Sequence, residues 1–463
     1  MSETTSPSPA AAAADGQPEL KRAIGSKLLL FFVIGDILGT GVYALTGTVS
    51  GKVGGALWVP FLIAFAVAFL TAFSYLELVG KYPKAAGAAL YTNRAFKMPF
   101  LTFMVAFAVM CSGITSASSA AVAFGGTYLK EFVTAPTTIV AIGFLALLAF
   151  INFRGVGESV KANVVLTLIE LSGLVIIIAI GVFAVVNGQG DPSRLVEFNT
   201  ADQSAWIAIT SATSLAFFAM VGFEDSVNMA EECKDPVRIF PRSMLMGMGV
   251  AGSIYLLVAI TSSLLVSSED LKNAGSKALL TVVQVGAPAF PLALFAFIGL
   301  FAVANSALIN MLMASRLVYG MANEKIIPMP FAKVHQTRRT PWIAIVFTSL
   351  IAVGLVSTMD ISVLGGTTAL LLLAVFTIVN IACLVLRKET VEHKHFRAPT
   401  IVPILGAITC AYLALPFSGR ASTDYVLAGV LLGIGLVLWV VNWLFFRRKE
   451  GIKADFDPAA LSK

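Results

Sequence analysis

The chain has 463 residues, 57% of them hydrophobic and 13% charged, with a formal net charge of +6 and a mean hydropathy of +0.87. Soluble domains run near 45–50% apolar and about 25% charged, so an ordinary soluble fold is excluded. The surplus positive charge is spread along the chain with no clustered basic face, which also excludes nucleic-acid binding.

Residues 1–22, which begin MSETTSPSPAAAAADGQPEL, are rich in Ala, Pro and Ser and have no apolar signal-peptide core. They read as a disordered cytoplasmic tail. A single membrane domain over 23–449 follows, and 450–463 reads as a polar cytoplasmic tail. Twelve apolar stretches are candidate spans: 27–49, 56–80, 100–129, 136–153, 162–187, 205–231, 244–266, 287–320, 341–358, 361–386, 399–416 and 423–446. Sorting Lys and Arg by alternate connections places 26 on one side and 6 on the other, so the positive-inside rule puts both termini in the cytoplasm. Trp58, Trp206, Trp342, Trp439 and Trp443 sit near span ends, where interfacial anchoring is their expected role.

The first and sixth stretches are interrupted, about 180 residues apart. LLLFFVIGDILGTGVYALTGT breaks at Gly39-Thr40-Gly41, and AWIAITSATSLAFFAMVGFEDSVNMAEEC breaks near Met220-Val221-Gly222. Glycine is a poor interior helix residue, and unwound backbone at membrane depth must face protein, water or a ligand. Paired breaks in matching halves point to a secondary-transporter binding site. The expected fold class is therefore an all-α integral membrane protein of 12 transmembrane helices. It comprises a 5+5 inverted repeat over about 27–187 and 205–386, with helices 1 and 6 broken, and two peripheral helices over 399–446.

The breaks have opposite polarity. The outer half of span 1 begins near Gly41, and its free amides and helix dipole favour a negative group. In span 6 the outer half comes first, so its terminal carbonyls near Phe218 and Val221 favour a positive group. A zwitterionic amino acid offers both. A bulky residue at Gly41 is then expected to abolish binding while leaving the fold intact.

Four acids accompany these breaks. Asp36 lies one turn before the first, Glu170 lies midway along span 5, and Glu224 and Asp225 follow the second. Ionisable groups at membrane depth are costly and mostly functional. The nearest base to Glu170 in the chain, Lys161, is nine residues away, roughly 13 Å of helix. A carboxyl without a counter-charge in a dry interior binds a proton more readily. Coupling or gating is the expected role of all four, with N-capping the competing role for Glu224 and Asp225 and neutral hydrogen bonding for Glu170. Asn305, Ser306 and Asn310 on span 8, and the run CSGITSASSA over 111–120, either line a cavity or bind neighbouring helices. Glu77 and the Glu231-Glu232 pair lie at inner span ends, where salt bridges to basic loops are expected.

Cys111, Cys233, Cys383 and Cys410 have neither metal nor disulfide spacing. His335, His393 and His395 all fall in cytoplasmic connections, so no histidine relay crosses the membrane. With no nucleophile motif or cofactor fingerprint either, the chain reads as a non-enzyme without cofactor or metal.

These motifs resemble a known family. IGDILGTGVYALTG and FFAMVGFEDSVNMAEECKDPVRIFPRSM are similar to the span-1 and span-6 signatures of the amino acid–polyamine–organocation superfamily. SYLELVGKYPKAAGAALYTNRAF and ASRLVYGMANEKIIPMPFAKVHQTRRTPW resemble its loops after spans 2 and 8. The likeness covers about residues 22–450 and is nearest to bacterial permeases like the cationic amino acid transporters. It implies a substrate carboxylate on the amides around Gly39, Thr40 and Gly41, and an ammonium on the carbonyls of Ile37, Phe218 and Val221. It further implies a gate at Phe218 and a gating or proton-coupling role for Glu224. Two departures stand out: Glu170 occupies the place of a span-5 lysine found in many members, and Asn310 that of the tryptophan on which arginine–agmatine antiporters stack their substrate.

The expected function is secondary transport of an L-amino acid, cationic or small and neutral, by alternating access. The expected coupling ion is the proton, with sodium left open. Competing readings are an antiporter exchanging an amino acid for an amine or polyamine, and a non-transporting sensor or channel on the same scaffold. The expected setting is the inner (cytoplasmic) membrane, as a monomer or homodimer in the lipid bilayer, with a small-molecule amino acid or amine as the ligand.

Overall fold

The computed structural model of the protein describes residues 24–83, 87–154, 159–199, 203–323, 327–338 and 340–444, with backbone only for 159–163, 231 and 232. Both expected tails, and the side chains of Lys161, Glu231 and Glu232, lie outside the described residues.

The first apolar stretch forms two helices, α1 (Ser26–Ile37) and α2 (Thr40–Val53). Then come α3 (Trp58–Lys81), α4 (Gly87–Phe96), α5 (Pro99–Ala123), α6 (Thr137–Arg154) and α7 (Ser159–Val186). The second interrupted stretch starts as α8 (Ala205–Ala216), tightens into a 3₁₀ turn at Phe217–Met220 and resumes as a 3₁₀ segment over Asp225–Glu232. Next are α9 (Pro236–Leu265), the short α10 (Ser268–Ala274) and α11 (Ala278–Gly286), and the long α12 (Leu292–Asn323). The chain closes with α13 (Trp342–Thr358), α14 (Ile361–Leu386), α15 (Ile401–Ala414) and α16 (Ser422–Asn442).

Among the described residues, ten helical stretches are long and apolar enough to cross a bilayer. Two more are apolar but shorter, α13 with 17 residues and α15 with 14. Every stretch picked out by hydropathy coincides with a helix. With no water at membrane depth, backbone groups must pair within the segment, and helices do so. The two interrupted stretches lie inside the bundle, where α1 packs on α7 and α9, and α2 packs on α8 and α10. On the far side α5 packs against α12 and α14. The inner ends of the interrupted stretches are tied by a parallel bridge between Ile24 and Cys233, with Lys234 N–H donating to the Ile24 carbonyl at 3.0 Å.

Polar side chains join helices where lipid offers no hydrophobic drive for association. Asn380 on α14 accepts from Ser74 Oγ at 2.6 Å and donates to Thr71 Oγ1 at 3.0 Å, both on α3. Glu77, expected in a salt bridge, receives both nitrogens of the Arg387 fork at 2.8 and 2.6 Å and the Ala398 N–H at 2.9 Å. That pair fastens the inner end of α3 to the chain leaving α14. Trp206, Trp342 and Trp443 are exposed, as anchors at an interface would be.

Candidate functional site

One glycine builds the second break. Val221 is extended, at φ −73° and ψ 144°. Gly222 follows at φ +124°, a region that residues bearing a Cβ rarely adopt. The returning segment, expected as an α-helical inner half with an acidic cap, is a 3₁₀ coil instead. Its sequence DSVNMAEE opens with four poor helix formers, so local propensity does not hold an α-helix there. Glu224 folds back and its Oε2 accepts the Gly222 N–H at 2.9 Å, which braces the turn.

The two breaks interlock through their glycines. A Cβ at Gly222 would lie 2.6 Å from the Asp36 carbonyl oxygen and 3.1 Å from Ile37 N. One at Gly41 would lie 2.8 Å from Ala219 Cβ and 2.9 Å from Ala219 N, and one at Gly39 would lie 2.9 Å from Ser306 Oγ of α12. The expectation that bulk at Gly41 spares the fold therefore needs correction. Gly41→Leu is expected to lower both ligand binding and thermal stability, because the side chain wedges the breaks apart; an unaltered melting temperature in detergent would contradict this contact.

Between the breaks lies a concavity with an empty volume of about 310 Å³, at the lower end of small-ligand sites (about 300–1,000 Å³). The first break contributes Asp36, Ile37, Gly39, Thr40 and Gly41 to its wall, and the second contributes Phe218, Val221, Gly222 and Asp225. Ser116 of α5 and Ser306 and Asn310 of α12 complete it. Of the run 111–120, only Ser116 reaches this wall; Thr115 instead bonds Thr368 of α14 at 2.7 Å. Asn305 is buried off the wall, as are Glu170 and Glu224. Phe218 is 4% exposed and packs against Gly365 of α14.

The wall has two electrical ends. Because α2 opens at Thr40, its first-turn amides have no intrahelical acceptor and its positive dipole end meets the cavity. Carbonyls gather opposite. That of Ile37 accepts the Tyr255 hydroxyl at 2.5 Å and keeps a second lone pair. That of Phe218 accepts only a long 3.4 Å bond from Val221 N–H. Asp36 and Asp225 add two carboxyl groups, and none of the lining residues is Lys, Arg or His.

Sequence reasoning missed a chain of tyrosines behind this wall. Tyr255 of α9 holds the Ile37 carbonyl, Tyr43 of α2 donates to the Glu170 carbonyl at 2.6 Å, and Tyr128 donates to the Tyr43 carbonyl at 2.7 Å. A tyrosine in an apolar span must satisfy its hydroxyl, so a signal existed, but it names no partner. Glu170 itself is fully buried on α7, and neither carboxyl oxygen has a hydrogen-bond partner among the described residues. Asp36 Oδ2 and Thr40 Oγ1 are likewise buried and unpartnered.

The sequence profile of the amino acid permease family matches residues 24–438, nearly the whole chain. The chain belongs to the amino acid permease family. This permease is accordingly a multi-pass membrane transport protein and not an enzyme. It is 26% identical over 440 residues to the methylthioribose transporter of Bacillus subtilis (strain 168), covering 88% of this chain and 91% of that protein. It is 23% identical over 463 residues to the branched-chain amino acid permease BcaP of the same organism, covering 92% and 94%. With the low-affinity putrescine importer PlaP of Escherichia coli (strain K12) it shares 24% identity over 400 residues, covering 84% and 87%. Three relatives at similar identity are named for three different cargoes, so kinship gives the permease its class and leaves its cargo to the cavity wall.

Proposed function

We propose that the permease is a secondary transporter that takes up an L-amino acid across the inner membrane by alternating access, coupled to protons. The substrate carboxylate sits on the Thr40 and Gly41 amides, and its ammonium on the carbonyls of Ile37, Phe218 and Val221. Asn310, Ser306 and Ser116 face the remainder of the molecule. Two acids and no base on the wall favour a cationic amino acid over a small neutral one. The observation that carries this reading is the concavity itself, walled by the unwound backbone of both breaks with donors at one end and acceptors at the other.

The architecture that goes with this reading is twelve spans, α13 and α15 included, with two five-span repeats inverted about the breaks and both termini in the cytoplasm. Inversion explains why one break offers helix-start amides and the other helix-end carbonyls. Phe218, between the cavity and α14, is the gate. Asp36, Glu170, Glu224 and Asp225 are the coupling and gating acids.

The test is uptake of radiolabelled L-lysine, L-arginine, L-leucine and putrescine into proteoliposomes, with and without an inward proton gradient. Gradient-stimulated uptake of a cationic amino acid is expected. Strict sodium dependence without a proton effect would contradict the coupling, and uptake only into preloaded vesicles would mark an exchanger. Glu224→Gln keeps an oxygen to accept the Gly222 N–H and removes only the charge, so it is expected to shift the pH dependence of uptake. An unchanged profile would leave Glu224 as a brace of the turn alone.

A further inference from the structure

The cavity wall does not account for Glu170. Its carboxyl is fully buried, both oxygens lack a partner among the described residues, and the side chain stands behind the wall. A buried ionised carboxylate with neither counter-charge nor hydrogen bonds costs several kcal/mol even after relaxation, so its surroundings decide its state. From α1, the group that acts on it is Asp36, an acid. From α2 comes Tyr43, whose hydroxyl is spent on the Glu170 backbone carbonyl, and from α9 Tyr255, whose hydroxyl is spent on Ile37. The other helices packed on α7 bring no charge to this depth: α11 has no acid or base, and α12 has none between Leu292 and Ser315.

Asp36 differs in one respect. It lies on the cavity wall, beside the Ile37 carbonyl and within electrostatic reach of Asp225 and Glu224 across the second break. A positive ligand group in the cavity meets Asp36 and does not meet Glu170. Two like charges in one dry region do not both persist, and the one without access to a counter-ion is neutralised.

We infer that Glu170 is a buried proton-binding site paired with Asp36, so that the pair carries one proton, on Glu170, and one negative charge, which Asp36 presents to the cavity. This deepens the proposed transport reading by dividing the work between two carboxyls. The substrate cation is met at Asp36 while the proton is stored on Glu170, so both are held at once without competing for one oxygen. A metal ion is a poorer occupant, because among the described residues no three His, Cys, Asp or Glu side chains converge.

The experiment is infrared difference spectroscopy of the purified permease in detergent at neutral pH, in H₂O and D₂O, without any transported substrate. A deuterium-sensitive carbonyl stretch of a protonated carboxyl is expected. It should vanish in Glu170→Gln and persist in Asp36→Asn, and sodium chloride in place of potassium chloride should not remove it. Absence of the band from the unmodified protein would overturn the inference, and so would its loss in Asp36→Asn with survival in Glu170→Gln. Loss on adding sodium, with a rise in melting temperature, would assign the site to sodium instead. Glutamine resembles the protonated acid in shape and charge, so Glu170→Gln is expected to fold; a collapse of that variant together with an absent band in the parent would also count against the proposal. Because the band is read without ligand, a failure of the uptake assay leaves this result standing and separately interpretable.

Discussion

Gly222→Ala is expected to abolish ligand binding. The residue holds φ +124°, where an alanine stores strain of about 1–3 kcal/mol from the backbone alone. Its new methyl would also lie 2.6 Å from the Asp36 carbonyl oxygen and 2.7 Å from the carbonyl carbon, atoms that belong to the end of α1 and cannot swing away. Relief requires the second break to draw back from the first, which opens the acceptor end of the cavity and displaces Asp225 from its wall. The Glu224 brace is weakened at the same time, because its partner is the amide of the substituted residue. The check is a thermal-shift titration with the ligand that most stabilises the parent protein. Loss of the ligand-induced shift together with a lower ligand-free melting temperature is expected, and an alanine variant that binds normally would contradict the interlocked geometry.

The second large effect lies outside the cavity. Arg420, in the turn between α15 and α16, is 7% exposed, and its guanidinium reaches four parts of the fold. It donates to the Gly366 carbonyl at 2.7 Å, to Asp424 Oδ2 at 3.2 Å, to the Ser214 carbonyl at 3.1 Å and to the Leu413 carbonyl at 3.3 Å. Ser214 belongs to α8, so this turn holds the outer arm of the second broken stretch. Removing one partner of a buried ion pair costs about 3–5 kcal/mol, because the other is left without a counter-charge. Arg420→Ala is expected to fall in that range by denaturant unfolding in detergent. Arg420→Ala/Asp424→Ala should then be less destabilised than the sum of the two single variants, since the stranded carboxylate is gone. Strict additivity would show that the pair contributes nothing beyond its separate parts.

Much of this architecture was legible in the sequence because the bilayer restricts what an apolar stretch can become. Each hydropathy peak coincides with a helix, and the glycines at Gly39, Gly41 and Gly222 lie where helices stop. What was hidden depends on three-dimensional phase. Glu224 and Asp225 are neighbours, and only the local winding decides which faces the cavity. The chain here turns with about three residues per turn in place of 3.6, so Asp225 reaches the wall while Glu224 folds back on Gly222. The tyrosine bonds of Tyr43, Tyr128 and Tyr255 join residues 85 to 218 positions apart, beyond the reach of any local pattern. Arg420 counted in the sequence only as one of the few charges on the outer side, and nothing near it marked Ser214 or Gly366 as partners. The residues that position the site were therefore harder to find than those that form its wall.

The central claim is that exposed backbone at two opposed breaks grips a molecule carrying both charges. An electron cryo-microscopy reconstruction of the permease with its best-stabilising amino acid tests this most directly. The account predicts ligand density between Gly39–Gly41 and Phe218–Gly222, with the carboxylate on the Thr40 and Gly41 amides and the ammonium on the carbonyls opposite. Ligand bound elsewhere, or helices running unbroken through Gly39 or Gly222, would contradict it.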